Sequence, residues 1–242
     1  MKKLILVLSF LFLFMSNNVV FAQNNNIVIN ANGVIVTEKE YQFILDFYGE
    51  NYFENMVTSD YEWIQDLNLN NSEVEVVTIY DTNSLLRGVS HTTASKKLTI
   101  AKSCSTNCSI IVKCQWLTNP VIRSYDVIGA RLVNTELVTN TIITKLSSSS
   151  GTEYFSDLKL LSDGFGVSVK LPSNSTNISV EQKFTVYSGG SVFASYQHAK
   201  SNISLSTSKL YTISSNGYGR VFDFYGSATN VFDQMGGVDI SL

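Results

Sequence analysis

From Lys96 to Leu242 the chain is cut into short β-prone runs by turn residues, and this punctuation restricts the fold more than any other feature. The runs are Lys97–Lys102, Ser109–Trp116, Ser124–Val133, Leu137–Leu146, Glu153–Leu161, Gly164–Leu171, Ile178–Tyr187, Ser191–His198, Lys209–Ser214, Gly219–Tyr225 and Val238–Leu242. Between them stand Asp163-Gly164, Ser188-Gly189-Gly190, Asn216-Gly217 and Gly236-Gly237, residues that reverse a chain at low steric cost. Many short strands at this spacing cannot all lie in one flat sheet. They predict a mainly β chain folded as an antiparallel β-sandwich, jelly-roll-like or Ig-like.

The segment before it has a different period. Ile27–Ile29 and Val34–Val36 flank the turn signal Asn30-Ala31-Asn32-Gly33. Thr37 and Glu40 then have capping-box spacing, and Tyr41, Ile44, Leu45 and Tyr48 follow at the spacing of one helical face, with Gly49 as a stop. Asn51–Val57 is a second helical stretch, and Ser59 with Glu62 repeats the capping spacing before Trp63, Ile64 and Leu67. Two or three short helices over 37–67 are expected, their aromatics forming core. Glu73–Tyr80 alternates as a strand, and Asp81–Ala94 reads as a connector. The expected organisation is an N-terminal segment over 23–94 with a small helical part, then the β-sandwich domain over 95–242.

Residues 1–22 have the parts of a signal peptide: Lys2-Lys3, the uncharged run Leu4–Met15, and small residues Val20 and Ala22 before a cleavage point. The apolar run is too short to span a bilayer, which takes about 20 residues. The chain is therefore expected to be secreted and extracellular, with no transmembrane segment after signal cleavage. Losing Lys2 and Lys3 moves the formal charge from −3 to −5. A mildly acidic chain lacks the basic surface that nucleic acid requires, so no nucleic-acid partner is expected. With charged residues at 15%, polarity comes largely from Ser, Thr and Asn. This lysine-led, Ser/Thr/Asn-rich style is that of secreted proteins of low-GC Gram-positive bacteria. No motif leads to a named family.

Export permits a disulfide. Cys104 and Cys108 flank Ser105-Thr106-Asn107, a tight turn between two β-runs, and form the candidate bridge. Cys114, on the same strand, reads as a buried small hydrophobe. The histidines His91 and His198 lie far from the cysteines in sequence, and structural zinc takes four ligands, so no metal site and no cofactor are expected.

Catalysis finds no motif. No G-x-S-x-G occurs, and Ser195 and His198 are three apart on a strand, hence on opposite faces. Asp126, Glu153, Asp157, Asp163, Glu181, Asp223, Asp233 and Asp239 are the carboxylates available for glycosidase chemistry, none in a motif. Asp126 and Asp223 each interrupt an apolar run and read as outward positions; buried, either would be a perturbed-pKa site candidate. The remaining signal is aromatic density toward the C-terminus, from which Tyr196, Tyr218 and Tyr225 are taken as candidate binding residues. The chain is accordingly expected to be a non-enzymatic binding or surface-interaction protein, its partner a cell-wall or host glycan or a protein. A membrane-active, pore-forming or toxin-like β-protein and a glycan-active enzyme are the alternatives. The first needs a detachable amphipathic hairpin, for which Asn134–Gly151 is the place to look; the second needs two carboxylates facing across a cleft.

Overall fold

The computed structural model describes residues 27–81, 94–203, 210–214, 221–233 and 235–242. These residues fall into two compact units that divide between Asn70 and Asn71. The strand at Glu73–Tyr80 belongs to the second unit, because it pairs along its whole length with the strand that follows, from Glu73↔Cys104 to Tyr80↔Lys97.

The first unit opens with an antiparallel hairpin of β1 (Ile27–Ile29) and β2 (Ile35–Thr37). Three helices follow: α1 (Glu38–Phe47), α2 (Glu50–Asn55) and α3 (Thr58–Gln65). The expected box caps α1: Thr37 Oγ1 accepts the Glu40 backbone N–H, and the Glu40 carboxylate accepts the Thr37 N–H at 2.8 Å. The second expected box lies two residues earlier. Asp60, not Glu62, reaches back to accept the Val57 N–H at 3.1 Å, so α3 begins at Thr58. α1 buries Glu40, Phe43, Ile44 and Phe47, while Tyr41 and Leu45 are only partly covered. Gly49 sits at φ +95°, a conformation that strains a side chain, and it turns the chain from α1 into α2. Asn30 fixes this arrangement from the hairpin turn: its Nδ2 donates to the Phe53 and Met56 carbonyls at 2.8 and 2.7 Å, satisfying the end of α2.

The second unit is built on two antiparallel sheets. Its strands are β3 (Glu73–Tyr80), β4 (Lys96–Cys104), β5 (Asn107–Trp116), β6 (Tyr125–Val133), β7 (Ile143–Ser148), β8 (Gly151–Phe155), β9 (Leu158–Leu161), β10 (Gly164–Lys170), β11 (Ser179–Tyr187), β12 (Ser191–Gln197), β13 (Tyr211–Ile213), β14 (Phe222–Phe224) and β15 (Val238–Ser241). One sheet has the order β3-β4-β5-β11-β7-β8, the other β15-β12-β6-β10-β9, and β13-β14 form a separate pair. This is the mainly β, sandwich-type architecture expected, with a small helical N-terminal part. Two single runs in the sequence resolve differently. Glu153–Leu161 breaks at Ser156-Asp157 so that β8 joins one sheet and β9 the other, and Leu137–Leu146 yields strand only from Ile143. Gly190 turns β11 into β12 at φ +84°, where a Cβ would stand 2.1 Å from the Val133 carbonyl oxygen.

The core between the sheets follows the period of two. Leu98 and Ile100 of β4, Ile110, Val112 and Cys114 of β5, and Val180, Phe184 and Val186 of β11 belong to the same cluster as Ile128, Phe165, Val167 and Val192 of the opposing sheet. Phe165 meets Phe184 edge-to-face at 4.9 Å across the layers. A second apolar cluster gathers Tyr211, Val221, Phe222, Ala228 and Phe232 with Val127 of β6. Phe224 stacks on Phe232 there at 4.0 Å.

Candidate functional site

At one end of the core the pattern turns polar. Lys96 opens β4, Trp116 closes β5, Asp126 lies near the start of β6, and Tyr196 and His198 lie at the end of β12. Asp126 is fully buried, not outward as its apolar neighbours suggested. Its carboxylate accepts the Tyr196 hydroxyl, the Ala199 N–H at 3.0 Å, and contacts from His198 Nδ1 at 2.9 and 3.0 Å. Burial raises its pKa, against the hydrogen bond and charge of His198 and the hydrogen bonds of Tyr196 and Ala199. Burial and the Asp126 charge also push the Tyr196 phenol well up, so its proton stays on and it donates.

Lys96 is buried beside this pair. Its Nζ lies 2.5 Å from Asp233 Oδ2 and 2.8 Å from Asp81 Oδ2, and 5.4 Å from the centre of the Trp116 ring. Burial would lower the ammonium pKa, yet the charge and hydrogen bond of Asp233, with those of Asp81, outweigh it and raise the value. Asp81 moves the opposite way to Asp126: burial works to raise it, and hydrogen bonds from Lys96 and Ser95 bring it below the usual value. The Trp116 ring stands edge-on to His198 at 4.7 Å and closes the network from the β5 side.

A second set of charges crosses the six-stranded sheet. Strand register aligns Thr78, Thr99, Lys113, Glu181, Lys145 and Tyr154 in one transverse row, on the face away from the core. Glu181 stands 3.5 Å from Lys145 Nζ and 4.0 Å from Lys113 Nζ. Burial brings the Lys113 ammonium down to about 8, against the opposing pull of Glu181.

These placements sort the expected site residues. Tyr196 is fully buried with its hydroxyl on Asp126, so it is corrected from a binding residue to a member of the core network; the even positions of β12 face inward. Tyr225 is 46% exposed, with the Lys159 ammonium 5.7 Å from its ring centre. Tyr218 and His91 lie outside the described residues. Tyr154 and Tyr187 are also exposed, at 66% and 52%; Tyr187 belongs to the aromatic-rich C-terminal part, and Tyr154 lies before it. Cys104 and Cys108 form the expected disulfide across the β4–β5 turn, and Cys114 is a free, buried core thiol whose pKa burial pushes well up. Ser195 accepts a hydrogen bond from Gln197 at 3.0 Å while His198 turns to Asp126. Among the described residues no group of three or more metal-ligating side chains is assembled.

No family model matches the chain, and no curated protein does. Among solved structures it is similar to the collagen-binding subdomain of the Enterococcus faecalis surface protein ACE: TM-score 0.31 and 10% identity, over 39% of this chain and 77% of that one. It is also similar to the collagen-binding domain of the Erysipelothrix rhusiopathiae surface protein RspB, with TM-score 0.32 and 6% identity over 52% of this chain and 50% of that one. A third likeness is to the pilus protein RrgB of Streptococcus pneumoniae, at TM-score 0.28 and 11% identity over 55% of this chain and 24% of that one. The chain thus spans about half of the RspB domain and a quarter of RrgB. These neighbours are β-rich bacterial surface and pilus domains. At such scores the likeness carries no inference about a ligand.

Proposed function

We propose that the protein is an extracellular, non-enzymatic surface-interaction protein whose partner is another protein. The observation that carries this is the set of exposed tyrosines, Tyr154, Tyr187 and Tyr225, on a β-framework in which the buried Lys96, Asp126, Lys145 and Glu181 are paired internally. Tyrosine offers a large amphipathic contact at small entropic cost, the usual composition of a protein-binding surface. The extracellular placement is supported by the signal-like residues 1–22 and by the Cys104–Cys108 disulfide, a bond of oxidising compartments.

The alternatives find less support. The segment offered for a membrane-active hairpin contains β7, which is hydrogen-bonded to β11 on one side and β8 on the other. No helix among the described residues is long and apolar enough to cross a membrane. Two of the carboxylates available for glycan chemistry, Asp126 and Asp233, are engaged by His198 and Lys96.

The reading is tested by binding to immobilised extracellular proteins, collagen among them, with sedimentation against cell-wall sacculi and liposomes in parallel. Saturable binding to a protein that falls at least tenfold when Tyr154 and Tyr225 are both changed to alanine supports it. Pelleting with sacculi or liposomes, without saturable binding to any protein, overturns it.

A further inference from the structure

We propose that Asp126 and His198 form a proton-dependent latch that holds residues 198–203, just after β12, and the returning residues 231–233 against the end of the core. The latch is independent of what the surface binds.

The geometry joins three pieces of chain at one carboxylate. Asp126, on β6, receives both the ring of His198 and the next backbone N–H, that of Ala199. From there the extended chain pairs with the return. Asp233 N–H donates to the His198 carbonyl at 2.8 Å, the His198 N–H donates to Asp233 Oδ1 at 3.0 Å, and Lys200 N–H donates to the Val231 carbonyl at 2.7 Å. Gln197 Nε2 adds a bond to the Met235 carbonyl at 2.7 Å, and Phe232 in the same return stacks on Phe224.

The groups facing the pair from each neighbouring element decide its charge. Asp81 stands at the end of β3, Lys96 on β4, Cys114 on β5, Tyr196 on β12 and Asp233 before β15. Lys96 is engaged by Asp81 and Asp233. His198 is therefore the group that, when protonated, puts a positive charge within hydrogen-bond reach of Asp126. With the imidazole protonated, the buried carboxylate has a countercharge. With it neutral, an ionised carboxylate is left in the core with neutral donors, which costs far more there than in water. The side chain of His198 is 12% exposed, enough to reach the solvent that takes the proton.

The sign follows from Asp126. Its pKa is raised in the fold, so its contribution to stability is complete below the ordinary carboxylate value, about 4, and is lost as pH rises through the raised value. The loss therefore begins above the ordinary carboxylate range and runs upward in pH, and the His198 ring on the same carboxylate transmits it to the chain that follows.

Hydrogen exchange of the full-length protein between pH 4.5 and 8, corrected for intrinsic rates, tests the latch. Protection of 197–203 and 231–233 is expected to fall at least tenfold with rising pH relative to β5 in the same molecule. In His198→Gln and in Asp126→Asn the ratio is expected to be flat. A flat ratio in the wild-type protein overturns the proposal even if neither variant folds, and so does a slope that survives in either variant.

Discussion

Glu40 in the first unit and Asp126 in the second are both buried among hydrogen-bond donors, and the two are held by different means. Glu40 is 5% exposed and receives Thr37 N–H and Oγ1–H, Tyr61 O–H at 3.2 Å and Asn70 Nδ2–H at 3.2 Å. Its central partner is three residues away, and a helix start brings the two together before any tertiary contact forms. Asp126 has no local support: its partners Tyr196, His198 and Ala199 are 70 to 73 residues distant and arrive only when β12 docks beside β6. Glu40 is thus a cap that the fold inherits, and Asp126 is a junction that the fold creates. Their surroundings differ as well. Residues 27–70 carry eight carboxylates and one lysine, nearly all of them at the surface, whereas residues 71–242 carry 14 basic and 12 acidic groups and bury several.

Substitution at the junction should cost most. Asp126→Ala leaves the Tyr196 hydroxyl, the His198 ring and the Ala199 N–H facing a void, and should lower stability by about 3–5 kcal/mol in urea unfolding. Glu40→Ala should lose less, about 1–2 kcal/mol, because water and the remaining cap can reach the helix end. An equal loss at the two positions would erase the distinction drawn here.

The phenols give a finer comparison. Tyr196→Phe removes one fully buried donor to a carboxylate and should cost about 1.5–3 kcal/mol; Tyr61→Phe, at a half-open site, should cost about 0.5 kcal/mol. Thr37→Ala should fall near 1 kcal/mol, the ordinary value of a cap. All three are measured by the same unfolding curves.

A pH dependence separates the core network from the Lys113–Glu181–Lys145 row. Lys113 titrates near 8 in the fold and near 10.5 when unfolded, so the unfolded chain holds the extra proton between these values. Stability should therefore rise with pH across that window, opposite to the direction set by Asp126. Lys113→Met should flatten this alkaline rise while leaving the acidic side unchanged. A rise that persists in the variant would assign it to another group.

What could be read in advance follows the same division between near and far. The Thr37–Glu40 box, the Gly49 stop, the β4–β5 hairpin with its disulfide and the inward alternation of β5 and β11 each depend on residues a few positions apart. Asp126 stood in the sequence as one polar residue in an apolar strand, a pattern shared by any outward position. Tyr196 looked like a surface aromatic for the same reason: nothing within several residues of it marks which face of β12 meets the other sheet.

The sequence by itself determined the periods: where the first helix starts, where most strands run, where the chain turns and that two cysteines meet across a turn. These are set by backbone conformation and by neighbours within a helical turn or a hairpin, so they are written locally. The tertiary structure alone decided which strands of the two sheets lie side by side, and therefore that Lys96, Asp126, Tyr196, His198 and Asp233 meet at one end of the core. Charges from distant strands become partners only once burial removes the water that would otherwise solvate each of them separately, and no local pattern encodes that exchange.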